Sequence, residues 1–296
     1  MTAAVAVVTD STACLSAELA AEGGILVVPL RVVFGDRAAD QDAADGEPAD
    51  QDALDHDAAV TVAEVERALH DGRRIGTASP APGRFAAAYA AAAAQGAEFI
   101  VSVHLSARLS GTLNSASLAA AGAPVPVRVV DSRSIGMGLG IAVLTAAAAA
   151  RAGEDAAAVA AAAAGRAARL RSLFAVDTPG YLRAGGRLEP TAALPDSALT
   201  IRPLLHVRDG RIVLLEKART PAGAVRRLEQ LAAESAAGLP VDLAVQYLGD
   251  AERAAAFARR LGGLIPGVRH AYLAAADAVI CAHTGPGMLG VVIAPY

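Results

Sequence analysis

Aromatic residues make up only 3% of this 296-residue chain, and tryptophan is absent. A core built around large rings is therefore excluded. The apolar interior has to come from Val, Leu and Ile packed against alanine-rich helices, and a hydrophobic content of 54% allows a sizeable one. At this length it fits one large domain or two modest ones. Cysteine is nearly absent too: Cys14 and Cys281 lie at opposite ends in apolar surroundings. That excludes a disulfide framework and reads as reduced, buried thiols. The six histidines do not cluster and no H-E-x-x-H occurs, so no metal site is expected. Positive charge is not concentrated anywhere. The net charge is −4 and the 26 basic residues are scattered, which argues against a nucleic-acid surface.

Several signatures are missing as well. There is no G-x-x-x-x-G-K-[ST], and Gly136-Met137-Gly138-Leu139-Gly140 lacks the spacing of a dinucleotide loop. No G-x-S-x-G elbow presents a serine. A self-contained nucleotide-dependent enzyme is therefore unsupported, and no cofactor is expected. The first residues carry no basic stretch, and strand-like sequence begins at Ala4, so no secretory leader is expected. The uncharged run 134–150 is short for a spanning helix and is thinned by glycines, so it reads as a buried helix behind a glycine-rich loop. These features predict a cytoplasmic protein without stable membrane insertion.

What is present is an alternation. Short β-branched runs at 4–8, 25–33, 99–103 and 127–130 are separated by alanine-rich helical stretches at 16–22, 82–95 and 113–121. This order predicts an α/β fold, a three-layer α/β/α domain with a mainly parallel sheet. Residues 40–57 interrupt it with eight acids and no Lys or Arg, and are expected to form a solvated, mobile loop. A long helix at 156–170 leads into a second, α+β region. It holds a hairpin over 205–215 turning at Asp209-Gly210, helices at 222–236 and 251–261, and strands at 242–247, 271–274 and 291–294. The division is placed at 1–165 and 166–296.

In an open parallel sheet, ligands bind beyond the carboxyl ends of the strands. Four such ends deliver small hydroxyl residues: Thr9 to Thr12, Thr77 with Ser79, Ser106 to Thr112, and Asp131-Ser132. Ser110-Gly111-Thr112 opens a helix, where unpaired N–H groups favour an anion and Gly111 permits close approach. Ordinary helix capping is the plainer account of that triplet taken alone. His283-Thr284-Gly285-Pro286-Gly287 places a histidine on a rigid loop before the final strand. Arg187 follows Gly185-Gly186 in a turn that exposes its side chain.

These stretches occur in an order that resembles the DegV family, fatty-acid-binding proteins that serve bacterial fatty acid kinase. The resemblance runs through Val8-Thr9-Asp10-Ser11-Thr12, Leu109-Ser110-Gly111-Thr112, Val130-Asp131-Ser132, Met137-Gly138-Leu139-Gly140, Gly185-Gly186-Arg187, Arg202-Pro203-Leu204-Leu205, Glu216-Lys217-Ala218-Arg219-Thr220 and the His283 loop. It implies a two-domain protein, not itself an enzyme, holding a long-chain fatty acid in a buried tunnel. Thr77, Ser110 and His283, with Gly111 and Thr112 beside them, would meet the carboxylate. Arg187 would serve when a separate kinase docks to make the acyl phosphate for phospholipid metabolism. The chain departs from the family pattern where Gly136 replaces a serine, Ala78 a serine, Pro179 a leucine and Arg202 a lysine. Two other readings stay open. One is a serine hydrolase with Ser110 as nucleophile, His283 as base and Asp10 or Asp131 as orienter. The other is a small-carbonyl site like that of dihydroxyacetone kinase.

Overall fold

The computed structural model describes residues 4–35, 60–190 and 201–296; the acidic stretch 40–57 lies outside the described residues. In chain order the first half runs β1 (Val5–Asp10), α1 (Ala17–Gly23), β2 (Ile25–Val28), β3 (Arg31–Phe34), α2 (Val62–His70), β4 (Ile75–Ala78) and α3 (Pro82–Ala94). It continues through β5 (Phe99–His104), α4 (Thr112–Ala120), β6 (Val127–Asp131), α5 (Met137–Arg151) and α6 (Ala156–Arg169). Four of these strands form a wholly parallel sheet in the order β2-β1-β5-β6. Helices α3 and α4 cover one face, where Phe85 and Tyr89 bury completely against Val8 and Ile100. Helices α5 and α6 cover the other, giving the three layers.

The run 25–33, expected as one strand, is two. Pro29 cannot donate to a ladder, and the Leu30 N–H is taken by Ser11 Oγ at 3.1 Å. The chain turns out of the parallel sheet there, and β3 pairs antiparallel with β4 in a separate two-stranded ribbon. Helix α2 was not expected, although a capping box closes its start: Thr61 Oγ1 accepts from the Glu64 N–H, and Glu64 accepts from the Thr61 N–H.

The second half comprises β7 (Arg171–Ala175), α7 (Gly180–Ala184), β8 (Arg202–Arg208), β9 (Arg211–Ala218), α8 (Pro221–Ala236), β10 (Val241–Tyr247), α9 (Ala251–Leu264), β11 (Val268–Ala275), α10 (Ala278–Thr284) and β12 (Leu289–Pro295). Its sheet has the order β11-β10-β12-β7-β8-β9. Only the β10–β11 pair is parallel. Helices α8 and α9 bury Leu228, Phe257 and Leu261 on one face. The other face turns inward, toward α5 and α6 of the first half. The dividing position after residue 165 falls inside α6, which packs on β5 and β6, and the second sheet begins at Arg171.

Helix α5 is the glycine-rich, uncharged run. Residues 137–143 are all buried, because the parallel sheet lies on one side and β10 and β12 on the other. A helix apolar all round is what such a sandwiched position requires. No helix among the described residues is long and apolar enough to cross a membrane.

Candidate functional site

The inward face of the second sheet does not close completely on the first half. A narrow cavity remains between them, about 730 Å3 when the open space at its mouth is counted and about 70 Å3 when only the room for the centres of water-sized spheres is counted. Its walls are mainly apolar: Leu105, Leu109 and Ile135 from the strand-end loops of the first half, Phe174 and Ile212 from the second sheet, Met288 just before β12, and Val279 and Ile280 from α10. Six polar or charged side chains of particular interest also line it. Ser172 and Gln246 are buried, whereas Thr77, Ser110, Arg187 and His283 are half-buried and so mark the mouth.

The elements explain how these four meet. Thr77 lies on β4, paired with Val32 of β3. His283 is in the last turn of α10, not on a loop, since Asp277 caps that helix and Gly285 ends it. The two side chains touch: Thr77 Oγ1 is 2.8 Å from His283 Nε2. Behind the imidazole is the Gly185 backbone, where an added Cβ would stand 2.5 Å from His283 Nδ1. Burial, helped by the nearby Arg187 charge, pushes the His283 pKa down to about 4. The ring is therefore neutral at physiological pH.

Arg187 is not the exposed residue that its glycine-rich turn led us to expect. It is half-buried and faces the cavity. Its Nε–H donates to Leu109 O at 3.3 Å and its guanidinium donates to Gly185 O. Ser110 lies in the loop that Leu109 thereby anchors. Its Oγ is 2.9 Å from both Ser79 Oγ and Thr112 Oγ1, and it accepts from the Thr112 N–H at 3.3 Å. Gly111 and Thr112 do not line the cavity: Gly111 is exposed, and Thr112 is fully buried behind Ser110. Any part they play passes through the Ser110 hydroxyl. Among the described residues no group of three or more His, Cys, Asp or Glu could hold a metal.

The hydrolase arrangement is not assembled. Asp10 gives both oxygens elsewhere: Oδ1 to Thr12, Oδ2 to the Leu105 N–H and to His104 Nδ1 at 3.0 Å each. Asp131 accepts from the Arg133 N–H. A serine, histidine and aspartate do stand in line in Ser102, His104 and Asp10, with Ser102 Oγ 2.7 Å from His104 Nε2. All three are fully buried, and Tyr89 donates to that serine, so the line is a structural brace under the Leu105–Ser110 loop. The sequence offered Asp10 within Val8-Thr9-Asp10-Ser11-Thr12 and as a rival orienter, and His104 was passed over because no local motif marks it.

Comparison with known proteins identifies the fold. A family model described as an uncharacterised protein of the DegV family matches residues 4–296. The chain belongs to the DegV family. A DegV domain-containing protein of Streptomyces coelicolor is 46% identical over 289 residues, covering 98% of both chains. Among solved structures, a fatty-acid-binding DegV family protein from Thermus thermophilus matches with a TM-score of 0.83 at 30% identity, over 100% of both chains. The DegV of Bacillus subtilis, described as a fatty acid binding protein, gives 0.83 at 28% identity over 99% of this chain and 100% of its own. In this DegV chain the cavity thus lies between the parallel sheet and the inward face of the mixed sheet, with a hydroxyl, imidazole and guanidinium cluster at its opening.

Proposed function

We propose that the chain binds a long-chain fatty acid, with the tail in the cavity and the carboxylate at Thr77, Ser110, His283 and Arg187. The observation that carries this reading is the polarity of the cavity, apolar along its walls with half-exposed donors gathered at one end. Solved DegV relatives described as fatty acid binding proteins support the choice of ligand. Burying a sixteen-carbon tail at ~0.8 kcal/mol per methylene yields roughly 10 kcal/mol before ordering costs. The tail therefore sets affinity, and the polar cluster sets which end faces out. Arg187 supplies the positive charge, and the hydroxyls of Thr77 and Ser110 supply directional donors.

The carboxylate would sit at an opening rather than inside a closed site, and the Thr77–His283 pair beside it has the Gly185 backbone and the Arg187 charge near the imidazole where a catalytic triad needs a carboxylate. This favours a carrier that presents the carboxylate to a separate fatty acid kinase over a catalyst. Arg187, at the mouth, would contact both the head group and the docking kinase. Solvent extraction of the purified protein followed by mass spectrometry should recover close to one fatty acid per chain. Protein that is free of lipid and also takes up neither oleate nor palmitate would refute the binding reading. With a cognate kinase and ATP, acyl phosphate should form, and Arg187→Glu should reduce it more than Arg187→Ala. Parental rates in both variants would remove Arg187 from the docking surface.

A further inference from the structure

The cavity holds two polar groups that a hydrocarbon tail does not use. Gln246 on β10 and Ser172 on β7 are 6% and 4% exposed, and both line the cavity. They share the inward face of the second sheet with β12 between them. Gln246 is opposite Gly290, and Gly290 is opposite Phe174, two residues along the same strand from Ser172. Gly290 has no side chain, and Phe174 Cβ and Met288 Sδ lie 3.2 and 3.6 Å from where a Cβ there would stand.

The orientation of the carboxamide is fixed by its neighbour. The Met137 N–H, at the start of α5, donates at 2.6 Å, so the atom receiving it is the oxygen Oε1. Nε2 is then left with two hydrogens to place. It has no hydrogen-bond partner among the described residues, and neither has the Ser172 hydroxyl. Gly136 makes this placement possible. Its φ is +64°, and an added Cβ would stand 2.1 Å from Gln246 Oε1. The carboxamide occupies space that a side chain at 136 would take.

A plain methylene chain laid over these groups would strip them of water and offer nothing in return, which lowers affinity. The register sets them two strands and two residues apart, on the order of 12 Å between Cα atoms, so an acceptor oxygen on the chain would satisfy whichever of the two it reaches. We infer that the ligand of this cavity is an acyl chain bearing an oxygen part-way along, a hydroxy or keto fatty acid, recognised by Gln246 Nε2 or, for an oxygen at another chain position, by Ser172 Oγ. The inference rests on the fatty-acid reading above and narrows it to a substrate class.

The test is a competition measured by native mass spectrometry on delipidated full-length protein. The competitors are stearate, a series of octadecanoic acids hydroxylated at successive mid-chain carbons, and the matching keto acids. The best oxygenated acid should outcompete stearate on the order of tenfold, the effect of one buried donor satisfied rather than stranded. Gln246→Leu should erase the preference and raise stearate binding. Ser172→Ala, which leaves the Met137 contact intact, should reduce the preference several-fold for the acids whose oxygen reaches Ser172, and it covers the case in which Gln246→Leu does not fold. Equal or tighter binding of stearate by the parent overturns the inference while leaving the fatty-acid reading standing. So does a preference that both variants retain. Failure of every acid, stearate included, to bind refutes the fatty-acid reading itself.

Discussion

His283 is the mouth residue with a marked proton dependence. Burial and the Arg187 charge push its pKa to about 4, against 6.5 for an ordinary histidine. The folded chain therefore holds the ring neutral over a range where the unfolded chain protonates it. The stability this contributes is complete above about pH 6.5, is lost as pH falls from there toward 4, and levels off below. It amounts to at most about 3 kcal/mol. Urea unfolding of the delipidated parent and of His283→Gln between pH 4 and 7 should show a shallower decline in the variant; identical slopes would mean that His283 titrates normally. A bound carboxylate has the opposite effect on the ring, favouring its charged form, so fatty acid binding should be accompanied by proton uptake. Ser110 is linked to hydroxyls and an N–H rather than to a charge, so in the proposed site it would discriminate between head groups rather than supply attraction. Ser110→Ala should weaken binding of a fatty acid by about 1–3 kcal/mol. Binding of the corresponding fatty alcohol should change less. Equal losses for acid and alcohol would show that the hydroxyl serves packing and not the head group.

Helix α10 carries His283, Val279 and Ile280 to the cavity, and its end is set by Gly285. That residue has φ +72°, and an added Cβ would stand 2.3 Å from the Tyr181 ring of α7. Gly285→Ala thus adds both a strained backbone and a clash, which together cost about 2–4 kcal/mol. The variant should unfold at lower urea and also lose fatty acid affinity, because α10 cannot hold His283 against Thr77. Loss of stability with unchanged affinity would separate the helix end from the site. Much at this scale was legible in the sequence. β-Branched runs and alanine-rich segments placed β1, β5, β6, α3 and α4 within a residue or two. The signals that were passed over were equally local: Asp277 before an apolar run with Gly285 after it is a helix written in caps, and so is Thr61 with Glu64. Others were not local at all. Arg187 turns inward because Leu109 O awaits it across the fold, and Gln246 lines the cavity because β10 lies beside β12. Neither pairing leaves a mark within a sequence window.

The two halves share one core. Leu139, Ile141 and Val143 of α5 pack in the same cluster as Val103 of the parallel sheet and Val292 of the mixed one. Arg166 of α6 reaches across to Asp242 of β10 at 2.5 Å, both buried. Such a pair orients more than it stabilises, because desolvation offsets much of its attraction. The cavity is the part of this interface left unfilled, and a bound tail would complete it with apolar contacts to both sheets' sides at once. Ligand binding should then stabilise the entire molecule rather than one half. At a free fatty acid concentration about a hundredfold above Kd, mass action adds roughly 2.7 kcal/mol, which for a chain of this size shifts Tm by about 5 °C. Calorimetry of the delipidated protein should show one transition, because neither half buries its inward face alone, and that single transition should move up with added ligand. Two transitions, only one of them moving, would mean that the halves fold independently and that the tail contacts a single sheet.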